Sequence, residues 1–203
     1  MNLVFDLGGV VVRWDPSAII AGVFSDSSIH STVKAGVFAH PDWLALDRGT
    51  LEREEAIARA AQRTGVALEE IRRLLHAVPP SLTVFPDTVD LLYRLKRRGY
   101  PLYCLSNMHF ASIEYLESEH GFWNLFDGRV ISCRLQLCKP ESAIYKHLLQ
   151  TYALRASETV FIDDVQKNLD AAEELGIRTV RFQDALQCER DLRALGVNIP
   201  LTA

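Results

Sequence analysis

Short apolar runs alternate with amphipathic segments over most of the chain. The apolar runs lie at residues 3–7, 100–106, 129–132, 159–163 and 178–182. They are apolar on both faces and rich in Val, Ile, Phe and Tyr, which is typical of strands in a parallel sheet that is covered by helices on both sides. The pattern therefore predicts five buried strands.

The segments between these runs carry apolar residues at helical spacing. Residues 87–98 have Pro86 near their start and Gly99 directly after their end, as helix start and stop signals. Residues 140–152 and 165–175 show similar patterns. The alternation of strand and helix predicts an α/β fold with a doubly wound, mostly parallel sheet.

The long stretch after the first predicted strand has no clear strand of its own. Its helical patterns lie at residues 16–24, 28–38, 51–64 and 68–77. We therefore expect a small helical cap domain at residues 15–84 and a core domain made of residues 1–14 and 85–203. The Pro79-Pro80 pair predicts the linker that returns the chain to the core.

Composition excludes several classes of partner. The 203 residues are 48% hydrophobic and 24% charged, as in ordinary globular proteins. The net charge of -4 and a pI of about 5.9 argue against nucleic acid. No apolar run approaches the roughly 20 residues of a membrane span, and the N-terminal run lacks the features of a signal peptide. Four cysteines without metal-site spacing predict reduced thiols, so we expect a cytoplasmic protein.

Polar residues stand at or just after the ends of three predicted strands and before one predicted helix. In open α/β sheets, ligands bind beyond the carboxyl ends of the strands. We therefore expect these residues to meet in one crevice, although each taken singly resembles an ordinary turn or helix cap. They are Asp6, Ser106, Asn107, Lys139, Asp163 and Asp164.

The chemistry of this set is consistent with a metal and a phosphate. Three carboxylates in one place repel each other, and a divalent cation relieves the repulsion; ligation by oxygen atoms alone favours Mg²⁺. Lys139 and the Ser106 hydroxyl then suit an anion with several oxygens. Asp6 beside a metal-bound phosphate can act as a nucleophile. Gly8 and Gly9 let the backbone approach the metal or the phosphate.

Four stretches together resemble the motifs of the haloacid dehalogenase superfamily, whose members are mostly phosphatases. They are VFDLGGVVV at residues 4–12, YCLSN, KP at 139–140 and VFIDDVQKN. The helical insertion resembles the C1 cap of that family, and the resemblance covers essentially the whole chain. It is greatest to the small bacterial sugar-phosphate phosphatases and to the N-terminal phosphatase domain of soluble epoxide hydrolases.

The resemblance implies a role for each matching residue. Asp6 would be the nucleophile, and Lys139 would neutralise charge on Asp6 and on the phosphate. Ser106 would hydrogen-bond the phosphoryl group, with the backbone or the side chain of Asn107 helping, near the backbone of Gly8 and Gly9. For Mg²⁺, the implied ligands are Asp6, the backbone carbonyl of Gly8, Asp164 directly, and Asp163 directly or through water, with Asn168 holding a metal-bound water.

Position 8 departs from the family pattern. Most phosphatases of the superfamily have Asp two residues after the nucleophile, as a general acid and base worth about 10²–10⁴-fold in rate. Gly8 leaves three alternatives open. The chain is a phosphatase that acts on a better leaving group, such as a sugar 1-phosphate, or takes its acid from elsewhere, with His109 nearest in sequence. In the second alternative the chain is a metal-free dehalogenase, but the tandem Asp163-Asp164 argues against it. Or it is a weak phospho-ligand binder.

A phosphoacceptor receiver domain is a further class with Asp, Ser or Thr, and Lys at strand ends. Its tandem acids end the first strand, whereas here they follow the fourth, and it has no long helical insertion. The order of the residues along the chain therefore argues against a receiver.

The stretch DWLALDRGTLE at residues 42–52 lies in the expected cap. Trp43 could stack on a substrate, and the polar residues Asp47 and Arg48 could meet a sugar or another polar leaving group. Trp14 at the first crossing could line the same cleft. We therefore expect Mg²⁺-dependent hydrolysis of a small phosphorylated metabolite by a monomer or a homodimer.

Overall fold

A five-stranded parallel sheet forms the centre of the computed structural model, which describes residues 1–199. The strand order is β3-β2-β1-β4-β5, so β1 lies between β2 and β4. The prediction of a doubly wound parallel α/β sheet is confirmed. The strands are β1 (Asn2–Phe5), β2 (Leu102–Ser106), β3 (Gly128–Ile131), β4 (Thr159–Asp163) and β5 (Arg178–Arg181).

Eleven α-helices in the described residues cover the sheet or belong to the insertion after β1. The insertion contains α1 (Pro16–Val23), α2 (His30–Val33), α3 (Pro41–Arg48), α4 (Arg53–Thr64) and α5 (Leu68–Ser81). The sheet is covered by α6 (Pro86–Arg97), α7 (Phe110–Glu119), α8 (Ser132–Leu135), α9 (Ser142–Thr151), α10 (Gln166–Glu173) and α11 (Ala185–Ala194).

The strands bury side chains on both of their faces. Along β1, Leu3 and Phe5 belong to one apolar cluster, while Val4 between them belongs to a cluster on the opposite face. Successive side chains of a strand point to opposite faces, so helices must cover both sides of the sheet. This arrangement leaves the carboxyl ends of the strands as the open edge at which polar residues gather.

A third apolar cluster lies wholly within the insertion. It contains buried side chains from Ile19 to Val78, among them Ile57, Ile71 and Leu74. A separate cluster of this kind favours a division into a core and a cap, with boundaries at residues 15 and 84, which stays a prediction.

The Pro79-Pro80 pair differs from the expectation of a linker, because both prolines lie inside α5. The chain returns to the core just beyond the helix, where the Arg13 N–H donates to the Thr83 carbonyl at 2.8 Å and the Phe85 N–H donates to the Val11 carbonyl at 2.8 Å. Pro79 is buried. Its packing compensates for the backbone hydrogen bond that a proline in a helix cannot donate.

Candidate active site

The topology of the sheet brings the predicted polar residues together. Asp6 follows the central strand β1, Ser106 ends β2 on one side, and Asp163 ends β4 on the other. Lys139 enters from the segment between α8 and α9. All four side chains are buried or nearly so. Residues that are far apart in sequence therefore meet because their strands are neighbours.

Lys139 lies between two carboxylates. Its Nζ atom is 2.8 Å from Asp6 Oδ1 and 2.7 Å from Asp163 Oδ2. The N–H of Leu7 also donates to Asp6 Oδ1, at 2.7 Å. Because both donors use the same oxygen, neither occupies the lone pairs of Asp6 Oδ2. That second oxygen is the one suited to attack on an electrophile.

The charges of this cluster are unbalanced. Burial raises the pKa of Asp6 to about 7, an effect that Lys139 opposes and Asp163 increases. Burial and then Asp163 also raise the pKa of Asp164. Burial disfavours the charge on Lys139, but Asp6 and Asp163 outweigh it and raise its pKa. The single ammonium group of Lys139 therefore faces three carboxylates. These need further positive charge if all three are to be ionised together.

The donor atoms fit a Mg²⁺ ion. Asp6, Asp163 and Asp164 each offer a carboxylate oxygen within 4.8 Å of the others. The Oδ1 atom of Asn168 is buried and accepts no hydrogen bond from any group of the described residues. A carboxylate cluster beside an unpaired amide oxygen matches the all-oxygen surroundings of Mg²⁺ and its bound water.

Two glycines border this cluster. A Cβ atom on Gly9 would come within 2.6 Å of Asp164 Oδ2, and the φ angle of Gly9 is +78°. Only glycine fits this conformation and this close approach. Gly8 lines the cleft beside Asp6. A side chain there is less restricted, because its Cβ would meet only the side chain of Trp14, at 3.7 Å.

Asp163 is held by several hydrogen bonds besides that from Lys139. Its Oδ1 atom accepts from the Val165 N–H at 2.8 Å, and the Asn168 amide donates to both carboxylate oxygens at 3.1 Å. These bonds hold the Asp163 carboxylate in the position from which it contacts Lys139. Of the two forms of metal contact predicted for Asp163, they favour the one through water.

Asn107 also supports Lys139. Its Oδ1 atom accepts from the Lys139 N–H at 2.8 Å, and its Nδ2 atom donates to the Lys139 carbonyl at 2.9 Å. The Asn107 side chain thus positions the backbone of Lys139. Only the backbone of Asn107 remains available to a phosphoryl group. The buried Ser106 hydroxyl lies beside Asp6 and helps to lower its pKa.

A cleft of about 330 Å³ opens from these residues towards the insertion. Trp43 lies in its wall, as expected of a residue that contacts substrate, and stacks on Trp14 with ring centroids 5.5 Å apart. The apolar side chains of the lining are Trp14, Trp43, Leu44, Val78, Leu82 and Met108. One end of the cleft is therefore charged and the other end is mainly apolar.

Arg48 does not line this cleft. Its guanidinium forms a two-pronged ion pair with Glu141 and donates to the Gln136 carbonyl at 3.2 Å. The structure differs here from the expectation of a substrate contact, because the side chain at the end of α3 is directed to the segment around α8. The preceding residue, Asp47, is the other polar residue that the sequence of this stretch offered as a substrate contact, and it lines the cleft.

His109 lines the cleft but is poorly suited to give a proton. Its Nε2 atom is 3.1 Å from the Ser112 hydroxyl, and its ring meets Trp43 edge to face at 5.4 Å. Burial, and secondly the charge of Arg53, lower the pKa of His109 to about 4. The imidazole is therefore neutral near pH 7.

A family model for haloacid dehalogenase-like hydrolases matches residues 2–176. The chain belongs to this family. The resemblance inferred from the four motifs is confirmed, and with it the prediction that the protein is a hydrolase.

Two curated relatives of the hydrolase match over nearly their full length. A sesquiterpene phosphatase of Aspergillus oryzae is 27% identical over 192 residues, which are 95% of this chain and 94% of that protein. A D-ribitol-5-phosphate phosphatase of Bacteroides thetaiotaomicron is 26% identical over 212 residues, covering 96% and 97%. Several other relatives are longer proteins, of which the chain spans about a third or less.

A solved structure with the same architecture contains both expected ligands. It is a HAD family enzyme from Bacteroides thetaiotaomicron in complex with magnesium and inorganic phosphate. The likeness has a TM-score of 0.65 and 25% sequence identity, and it covers 90% of this hydrolase and 96% of that chain. Within residues 1–199, none of the helices of the hydrolase combines the length and the apolar character needed to span a bilayer.

Proposed function

We propose that this hydrolase is a Mg²⁺-dependent phosphatase that cleaves a small phosphate monoester through an aspartyl-phosphate on Asp6. The observation that carries the proposal is the buried Lys139 between Asp6 and Asp163, at 2.8 and 2.7 Å, with Asp164 beside them. Two relatives of nearly the same length are named phosphatases, and one solved structure of the same architecture holds magnesium and phosphate, which supports the proposal.

The residues of the site would divide the chemistry between them. Asp6 Oδ2, the oxygen that Lys139 and the Leu7 N–H do not use, attacks phosphorus. Lys139, the Ser106 hydroxyl and nearby backbone N–H groups hold the phosphoryl oxygens. Mg²⁺, held by Asp6, Asp164 and the Gly8 carbonyl, would neutralise charge on the transferring group. Water then cleaves the aspartyl-phosphate and regenerates Asp6.

The leaving group must occupy the end of the cleft that faces α3 and α5. The sequence led us to propose a sugar 1-phosphate. The stacked rings of Trp14 and Trp43, with Leu44 and Val78 in the same wall, favour monoesters whose alcohol has an apolar surface. The two full-length relatives are named for a sesquiterpene and for ribitol 5-phosphate, so apolar and polar alcohols both belong in a substrate screen.

A metal-free dehalogenase is the second candidate, since Gly8 removes the usual phosphatase acid. The convergence of Asp6, Asp163 and Asp164 disfavours it, because three carboxylates within 4.8 Å call for a cation. The free thiols of all four cysteines are buried, which supports our proposal of a cytoplasmic location. A monomer or a homodimer remains the proposed state of assembly.

Phosphate release tests the proposed function. We would assay sugar 1-phosphates, sugar 6-phosphates, a polyol phosphate and monoesters of long apolar alcohols, with Mg²⁺ and with EDTA. Asp6→Asn should lower turnover of every substrate by about 10⁴-fold or more, because it removes the nucleophile. Asp26→Asn, which changes an exposed aspartate that caps residues 27–29, is the matched control and should behave as wild type. Retained turnover in Asp6→Asn, or metal-free cleavage of a haloacid, would overturn the proposal.

A further inference from the structure

The proposed reaction lacks an obvious proton donor. When Asp6 displaces an alcohol from phosphorus, the leaving oxygen needs a proton, and general acid catalysis of this kind is worth about 10²–10⁴-fold. Gly8 has no side chain to give one. His109 is neutral near pH 7, and Lys139 is bound by two carboxylates. An acid for this step has to come from another wall of the cleft.

Asp47 lies in the same cleft as Asp6, on the side of the insertion. It belongs to the last turn of α3, four residues after Trp43, so both side chains project from one face of the helix. No side chain within residues 1–199 forms an ion pair or a hydrogen bond with its carboxyl group. It is thus a partly buried carboxyl group in the wall of the cleft that also contains Asp6.

The backbone around Asp47 is fastened to the core on both sides of this residue. The Ser132 hydroxyl donates to the Asp47 carbonyl and accepts from the Met108 N–H at 2.9 Å. Gly49 has a φ of +76°, and a Cβ there would come within 2.4 Å of the Cys133 carbonyl oxygen. The close approach of α3 to α8 therefore requires glycine at position 49. With the Arg48–Glu141 ion pair, these contacts fix Asp47 over the site.

The surroundings of Asp47 bring its pKa close to neutrality, so a large share of the carboxyl groups carry a proton near pH 7. Burial raises its pKa to about 7; the backbone N–H of His109 and the charge of Lys139 oppose this, and Asp6 adds to it. The other titratable groups that face it are the thiols of Cys133 and Cys138. Burial raises the pKa of each thiol to about 11, so both are neutral near pH 7. Asp6, whose pKa burial also raises to about 7, is the other group of the cleft that titrates in this range.

We propose that Asp47, carried on the insertion, is the general acid and base of the reaction, in place of the carboxylate that Gly8 omits. As Asp6 Oδ2 bonds to phosphorus and the bond from phosphorus to the alcohol oxygen breaks, the Asp47 carboxyl group gives its proton to that oxygen. The resulting carboxylate then takes a proton from water while the water oxygen attacks phosphorus and the Asp6–phosphorus bond breaks. The sum is monoester plus water giving alcohol plus phosphate, with Asp47 protonated again. This inference rests on the proposed function.

The test compares leaving groups that need a proton with one that does not. Asp47→Asn should lower turnover of hexyl phosphate by about 10²–10⁴-fold, because an alkoxide is a poor leaving group. With p-nitrophenyl phosphate, the same variant should still release about one nitrophenolate per site in the first turnover and then stall, because the base for the second step is lost. Asp42→Asn is the matched control. It removes a carboxylate from the same helix that pairs with Arg63 outside the cleft, and it should retain wild-type rates.

A pH profile of the wild type gives the same test without a variant. The rate on hexyl phosphate, divided by the rate of first-turnover nitrophenolate release, should fall as the pH rises through about 7, because Asp6 acts on both substrates whereas the Asp47 proton is needed only for the alcohol. Hexyl phosphate turnover by Asp47→Asn within a few-fold of wild type, loss of its nitrophenolate burst, or equal pH profiles for both substrates would each overturn the role of Asp47. If Asp6→Asn also gives the burst, it is the proposed function that fails.

Discussion

The two ends of the cleft are built in opposite ways. At the core end, Lys139 holds Asp6 and Asp163 at 2.8 and 2.7 Å, and further hydrogen bonds fix each partner. At the other end, Trp14 and Trp43 stack at 5.5 Å, and Asp47 is a carboxyl group without a side-chain partner among the described residues. In our proposal, the sheet supplies the groups that hold the phosphate, while the insertion selects the alcohol and supplies its proton.

Lys139→Met removes the positive charge from the core end and should have the larger effect. It leaves the buried Asp6 and Asp163 unpaired, which costs about 3–5 kcal/mol of unfolding free energy at neutral pH. We expect turnover to fall by about 10²–10³-fold as well. The measurements are denaturant unfolding in EDTA and phosphate release with Mg²⁺.

The loss of stability in Lys139→Met should depend on pH in one direction. In the folded protein the pKa of Asp6 is about 7, against 3.8 ordinarily, and Lys139 is the strongest influence that lowers it. A carboxyl group whose pKa is raised by folding favours the folded state below pH 3.8, and this contribution is lost as the pH rises towards 7. This loss is the same in both proteins up to about pH 7. Without Lys139 the pKa of Asp6 is higher still, so the deficit of the variant should grow as the pH rises above about 7. A loss of stability that does not change with pH would contradict this prediction. Arg155→Met is the control: it breaks an exposed ion pair and should cost almost no stability at any pH.

Trp43→Ala changes the apolar end and should affect only the leaving group. The KM for monoesters of large apolar alcohols should rise about 10-fold, because the stacked wall of the cleft is lost. Inhibition by inorganic phosphate should stay constant, and Trp43→Phe should keep most of the affinity. An equal rise in KM for every monoester would show that Trp43 does not discriminate between alcohols.

Arg48→Gln tests the link between the two ends and should have the smallest effect. The Arg48–Glu141 pair is partly exposed and is worth about 1 kcal/mol or less. We expect a loss of turnover of about two- to five-fold on hexyl phosphate, and the same loss for Glu141→Gln. The double variant should be no worse than either single one if the pair acts as a unit. A loss as large as that of Asp47→Asn would place Arg48 in the site itself.

The core end was predictable from sequence, and the other end was predictable only in part. Strands with apolar side chains on both faces predict a parallel sheet, and the strand ends then place Asp6, Ser106 and Asp163 near one another. The direction of side chains at the end of α3 has no such local signal. It depends on Gly49 meeting the Cys133 carbonyl and on Arg48 finding Glu141, residues more than 80 positions away. This is why the sequence offered both Asp47 and Arg48 as substrate contacts, whereas only Asp47 lines the cleft.

The support of Lys139 was also beyond the reach of the sequence. Either the backbone or the side chain of Asn107 was expected at the phosphoryl group, and the side chain makes two hydrogen bonds with the backbone of Lys139. Asp163 was expected to meet the metal directly or through water, and its oxygens accept from Lys139, Val165 and Asn168. A motif identifies which residues gather at a site, whereas the division between contact and support depends on side-chain geometry.

Trapping the phosphorylated enzyme tests the central claim most directly. The wild type would be mixed with p-nitrophenyl phosphate and Mg²⁺, quenched in acid, treated with borohydride and digested with trypsin for mass spectrometry. The peptide of residues 1–13, MNLVFDLGGVVVR, contains Asp6 as its only acidic residue. Borohydride reduces an acyl phosphate to an alcohol, so our account predicts homoserine at position 6 in this peptide, and more of it in Asp47→Asn. Turnover with peptide 1–13 unmodified, or with the reduced residue elsewhere, would contradict the account.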